Sequence, residues 1–161
     1  MRILGIDPGT GICGFGVIEV GRGKRPRMVT AGVITTPPHT PLGDRLLDIY
    51  QSLHEIIDEC RPDEVSVEKL FFNQNITTGI TVAEARGVVL LVARQYELPT
   101  AEYTPLQIKK SLTGYGRADK KQMQEMVRVH LGLGSVPKSD DAADALAAAI
   151  THSLMGVEGR E

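Results

Sequence analysis

Four carboxylates in this sequence stand in apolar frames. Asp7 interrupts the opening run ILGIDPG, Glu68 closes EVSVEKLF, and Asp141 and Asp144 punctuate the alanine-rich stretch DDAADALAAAIT. An ionised carboxylate is costly among apolar neighbours unless it is paired or bound to a cation. Three of the acids also have an ordinary explanation, whereas Asp144, a turn further into its helix, is not explained by capping. Asp7 before Pro8-Gly9 suits a turn, Glu68 suits a strand end, and an acid such as Asp141 in the first turn of a helix complements the dipole. Taken separately, those explanations leave unexplained why every one of them falls at the margin of an apolar segment. An all-oxygen donor set with no close histidine suits Mg²⁺, or Mn²⁺ in its place, with several waters retained. Two such ions about 4 Å apart activate a water and stabilise the leaving oxygen of a phosphodiester. The chemistry suggested is metal-dependent phosphodiester hydrolysis.

For that chemistry the acids must meet, and the hydropathy pattern indicates how. Arg2 to Asp7, Gly14 to Val20 and Met28 to Thr35 read as three strands with short turns, hence an antiparallel meander. Leu46 to Cys60 follows helical spacing, and Glu64 to Glu68 is a fourth strand, parallel to the first because a helix leads into it. FFNQNITTG reads as a polar loop. Thr81 to Tyr96 is a helix apolar nearly all round, so it is expected to be buried on two sides, the second covered by another helix or by a partner subunit. Thr100 to Thr104 is a fifth strand, and Pro105 opens a helix to about Leu112. Asp119 caps a helix through Leu131, and Ser139 or Asp140 caps the last, to about Leu154. The order βββαβαβααα predicts an α/β fold: a mixed five-stranded sheet, three antiparallel strands then parallel additions, with helices on both faces. Asp7 and Glu68 then emerge at one sheet edge, where ligands of open α/β sheets bind. Asp141 and Asp144, three residues apart, share a helix face. Asp140 is assigned to the cap.

The chain has 161 residues, 42% of them hydrophobic and 24% charged. That predicts one domain over residues 1–156 with a short tail at 157–161. The N-terminus lacks the pattern of a signal peptide and no run approaches the length of a bilayer span, so cytoplasmic residence is expected. Cys13 and Cys60 lie in apolar patterns and are expected as two buried free thiols. The net charge of −2 supplies no global field for nucleic acid, so any such binding rests on local patches. Lys109, Lys110, Arg117, Lys120 and Lys121 form one such patch along two helix starts and the loop between them, suited to phosphates. Arg22, Lys24, Arg25 and Arg27 read as a solvated turn, and His152 as structural. Phe71 and Phe72 are adjacent in a polar loop, and one of them suits stacking on an unpaired base.

GIDPGT, VEKLFF, EARGV, TPLQIKKSLTGYGRADK and DDAADALAAAITH together, in order across nearly the whole chain, resemble the bacterial RuvC family of Holliday-junction resolvases. GIDPGT alone also resembles the phosphate loop of actin-like ATPases, but this chain is too short for their second phosphate-binding half. The RuvC resemblance implies a ribonuclease H-like fold and a homodimeric endonuclease. Such an enzyme makes paired symmetric nicks in four-way DNA junctions, leaving 5′-phosphate and 3′-hydroxyl ends. It implies a metal tetrad at Asp7, Glu68, Asp141 and Asp144, with two ions per site; lysines near the scissile strand at Lys109 and Lys120; a junction-probing aromatic at Phe71; and cooperation with the RuvA–RuvB branch-migration complex. The helix from Thr81 to Tyr96 is the expected dimer contact. The alternative is another ribonuclease H-like nuclease, cutting RNA–DNA hybrids or another structured substrate.

Overall fold

The computed structural model describes residues 1–69 and 76–156. The tail at 157–161 lies outside them. The described elements are β1 (Arg2–Asp7), β2 (Ile12–Glu19), β3 (Arg27–Thr35), α1 (Leu42–Cys60), β4 (Glu64–Glu68), α2 (Ile76–Gln95), β5 (Thr100–Tyr103), α3 (Pro105–Thr113), α4 (Lys120–Leu131) and α5 (Asp140–Met155). The sheet order is β3-β2-β1-β4-β5. β1 pairs antiparallel with β2 and parallel with β4, β2 pairs antiparallel with β3, and β4 pairs parallel with β5. This is the mixed sheet that the order of elements predicts.

Strand alternation divides the core into two layers. Leu4, Ile6, Cys13, Val17, Val65 and Val67 point to one face, where α1 and α2 supply Ile49, Leu53, Ile57, Ala85, Val89 and Val92. Ile3 and Ile18 point to the other, against Ile108, Leu112, Val127, Leu131, Leu146 and Ile150 of α3, α4 and α5. Cys13 and Cys60 are both buried and free, as expected.

Helix starts follow local capping chemistry. Thr104 with Gln107, and Asp119 with Gln122, form reciprocal capping boxes at α3 and α4. Ser139 caps α5 by accepting from the Ala142 N–H. Asp140 is therefore not the cap; it lies in the first turn.

Two boundaries differ from the sequence reading. α1 begins at Leu42, before its apolar spacing becomes regular. α2 begins at Ile76, inside the stretch expected as loop. Thr10 Oγ1 donates to the Thr81 carbonyl oxygen at 2.6 Å, a tertiary anchor on the first turns of α2 that no local pattern reveals. The longer α2 also meets the length and composition of a bilayer span, with a mean hydropathy of 1.6. That corrects the expectation that no run comes near one. Its Ala85, Val89, Val92 and Ala93 are buried in the core, and its Arg86 pairs with Glu102 of β5. Only that side is covered among the described residues: Ile80 and Leu91 remain at least half exposed.

Candidate active site

The same alternation that sorts the core delivers two of the acids. Ile3, Gly5 and Asp7 take the α5 face of β1. The register pairs Ile3 with Glu64 and Gly5 with Ser66, and two residues further on it sets Asp7 beside Glu68. Both carboxylates thus stand at the C-terminal ends of adjacent parallel strands, on the face that α5 covers.

Glycines let α5 come down onto that face. A Cβ built on Gly5 would overlap the carbonyl oxygen of Ala145, and one on Gly14 that of Asp141. At Gly16 it would lie 2.6 Å from Leu146 Cδ2. Ser66 Oγ donates to the Ala148 carbonyl oxygen at 2.7 Å from within the buried layer. The alanines of α5 point to close packing from the sequence, but the matching sheet glycines were missed there. The available signal was the alternation Gly14-x-Gly16, which puts both glycines on one strand face.

The helix so seated brings its acids to the strand ends. One carboxylate oxygen each from Asp7, Asp141 and Asp144 lies within 4.8 Å of the others. Glu68 joins from Asp7, to which it is hydrogen-bonded. Burial and the facing carboxylates of Glu68 and Asp141 push Asp7 up to about 9. Burial raises Glu68 as well, opposed by the hydrogen bond from Asp7 and by the Lys109 ammonium. Asp7 therefore holds the proton and donates it to Glu68. Asp144 is raised to about 6, chiefly by burial and further by the carboxylates around it. Behind them the Cys13 thiol is pushed up to about 12 by burial, which keeps it an inert neutral group. Like charges this close cannot all ionise without a compensating cation. The donor set is entirely oxygen, part-buried and converging on one point, and it fits a hard divalent ion.

A cleft of about 350 Å³ opens beside the acids, lined by Glu68, Lys109, Lys120 and Asp144 together with Ile108 and Met123. Lys109 is part-buried on α3, and Lys120 is the first residue of α4. Both lysines expected near a scissile strand therefore share a wall with two of the acids. Lys120 is already engaged: its Nζ lies 2.7 Å from Asp140 Oδ2. The sequence reading missed that pair. Lys110, Arg117 and Lys121 are exposed and do not line the cleft; Lys121 faces a separate shallow groove with Tyr115 and Met126. Phe71 and Phe72 lie outside the described residues.

His152, expected as structural, sits at the far end of α5. Its Nε2 lies 2.6 Å from Glu64 Oε2 and its Nδ1 2.7 Å from the Tyr103 hydroxyl. Burial holds the imidazole below its ordinary range. A neutral ring satisfies both contacts, with Tyr103 donating to Nδ1 and Nε2–H donating to Glu64.

Comparison with known proteins places this arrangement among nucleases. A family model described as "Crossover junction endodeoxyribonuclease RuvC" matches residues 3–152. A protein of that description from Desulfitobacterium hafniense is 56% identical over 95% of this chain and 92% of its own length. One from Chloroflexus aurantiacus is 52% identical over 95% and 93%. Among solved structures, Thermus thermophilus RuvC in complex with a Holliday junction substrate superposes with a TM-score of 0.93 at 36% identity, covering 99% of this chain and 96% of that one.

Proposed function

The chain belongs to the RuvC family of crossover junction endodeoxyribonucleases, and on that premise we propose how its residues divide the work of a Holliday-junction resolvase. The protein is an endonuclease of ribonuclease H-like fold acting on four-way DNA junctions. One observation supports the assignment of roles most strongly: the convergence of Asp7, Asp141 and Asp144 within 4.8 Å, with Glu68 bound to Asp7. These four residues hold divalent metal, Mg²⁺ in this reading with Mn²⁺ as a substitute and two ions per site. Bound there, the metal supplies Lewis-acid activation of the attacking water and charge stabilisation at the leaving oxygen.

The remaining groups bind and orient. A bound cation would need Asp7 in its ionised form, so Asp7 would release the proton it holds toward Glu68. Lys109, on the cleft wall beside Glu68, meets the scissile phosphate and stabilises the charge that develops on it. Lys120 contacts the same strand. Lys110, Arg117 and Lys121 take flanking phosphates, and Phe71 stacks at the junction centre. Tyr103 and Ser66 fix the helix on the sheet and take no part in the reaction.

The working form in this reading is a homodimer whose two sites nick symmetry-related strands, leaving 5′-phosphate and 3′-hydroxyl ends. The uncovered Ile80 and Leu91 of α2 support that helix as the contact between subunits. Residues 1–156 act as one domain. The protein works in the cytoplasm, with the RuvA–RuvB complex as the partner that family membership implies.

The test is a synthetic four-way junction incubated with Mg²⁺ or Mn²⁺. Paired nicks at symmetric positions, lost with EDTA, are expected. Cleavage confined to the RNA strand of an RNA–DNA hybrid would replace this reading with that of another ribonuclease H-like nuclease.

A further inference from the structure

Asp140 is an extra acid directly beside the cluster, and neither the cap nor the metal triad uses it. Ser139 Oγ takes the cap, and the converging oxygens belong to Asp7, Asp141 and Asp144. Both oxygens of Asp140 are nevertheless engaged from α4. Oδ2 lies 2.7 Å from Lys120 Nζ, and Oδ1 accepts from Gln124 Nε2 at 2.6 Å. Lys120 and Gln124 are four residues apart, so they lie one turn above the other on a single helix face. Together they clasp the carboxylate across the gap between α4 and α5.

The clasp occupies one of the two lysines on the cleft wall. Lys109, the other, makes no ion pair among the described residues. Lys120 and Asp140 keep 61% and 53% of their side-chain surface exposed. An ion pair so exposed is worth little against water, weak enough to be displaced. A carboxylate and a phosphate make the same charge-assisted contact with an ammonium, so the two anions are interchangeable at Lys120 Nζ.

We propose that Asp140 is an internal stand-in for a DNA phosphate, held by Lys120 until a strand enters the cleft, and that this exchange sets the strength and salt dependence of junction binding. The inference rests on the reading of the cleft as the seat of junction DNA. When Lys120 turns to the phosphate, the freed Asp140 carboxylate stays beside the strand, next to the acidic cluster. The charge delivered to the DNA by this contact is then close to zero, although a lysine makes it. The wild-type protein is thus tuned for release as well as binding, and Asp140 is a positioning residue that acts through Lys120.

The test is junction binding without divalent metal, measured against salt for wild type, D140N, K120Q and the double variant. D140N is expected to bind about twofold to fivefold more tightly at low salt, the fold-change equivalent of an exposed ion pair. Its plot of log affinity against log salt should steepen by up to about 0.9, one phosphate's worth of counterion. Both gains should vanish in K120Q/D140N. With Mg²⁺ restored, the change should fall mainly on KM and less on kcat. Unchanged or weaker binding by D140N overturns the proposal, and so does a gain that survives K120Q, which would reflect charge removal alone. Melting temperatures verify that the variants are folded. A wild-type protein that neither binds nor cuts the junction would refute the functional reading itself, whereas wild-type cleavage with D140N indistinguishable from it sinks only the role of Asp140.

Discussion

β4 begins and ends on a glutamate, both on the face that α5 covers, and the two ends have opposite electrostatics. Glu64 meets a neutral imidazole, which a tyrosine hydroxyl completes. Glu68 meets Asp7, with Asp141 and Asp144 close behind. The first end is a finished hydrogen-bond network. The second is a cluster of like charges that the fold alone leaves in conflict, so one acid keeps a proton near pH 7. The same residue type on one short strand thus serves stability at one end and chemistry at the other. Sites of function are expected where such conflict is left unresolved by the protein itself.

The sharpest way to break this contrast is Asp7→Asn. It should reduce junction cleavage by about a thousandfold, the cost of several kcal/mol of lost metal-assisted stabilisation. In EDTA the same variant should melt at a higher temperature than wild type, because it removes a buried like-charge conflict. Cleavage that survives would sink Asp7 as a ligand. Gly14→Ala should come next. A methyl there meets the Asp141 carbonyl oxygen, which shifts the helix that carries two acids. A shift of that kind can cost roughly a hundredfold in rate, with about 1–3 kcal/mol of stability. Denaturant melts and single-turnover cleavage would separate the two effects.

At the opposite end, His152→Ala should lower stability by about 1–3 kcal/mol by removing the imidazole that bridges Glu64 and Tyr103. Cleavage well below the melting transition should stay within a few fold of wild type. A large rate loss without loss of stability would show that the two ends are not separate in function.

The smallest effect expected is a pH trend. Asp7 and Asp144 hold protons in the fold, up to about 9 and about 6, that the unfolded chain releases near 3.8. The folded state therefore binds more protons across that window, and metal-free stability should fall as pH rises through it. A melting series in EDTA should show this decline, and the Asp7→Asn series should show less of it. Divalent metal should restore stability most at the high end, since its ligands must lose those protons. A wild-type series no steeper than that of Asp7→Asn would remove Asp7 as the cause.

Much of this was legible in the chain because it is local. Apolar runs, Pro105, the Ser139 cap and the Asp119 cap mark nearly every element, and the strand order follows from the helix that separates β3 from β4. The four acids stood out because each breaks an apolar segment. What stayed hidden depends on residues far apart in sequence. The start of α2 is held by Thr10, some seventy positions away. The clasp on Asp140 crosses between two helices. A glycine within a strand reads as a weakness until the partner that needs the space is known, and only the seated helix shows Gly5 and Gly14 to be the contact points of α5.

That seat has a consequence for how the protein tolerates change. Where α5 rests on β1 and β2, main chain of the helix meets main chain of the strands. The interval between Asp141 and Asp7 is therefore set by peptide units in contact, and only a side chain added at the strand glycines can lengthen it. Exchanges at Ile150, Val127 or Leu131 are free to trade volume and stability while leaving that interval alone. The sequence around the core can drift, and the spacing of the acids stays fixed as long as three glycines keep the helix in direct contact with the sheet.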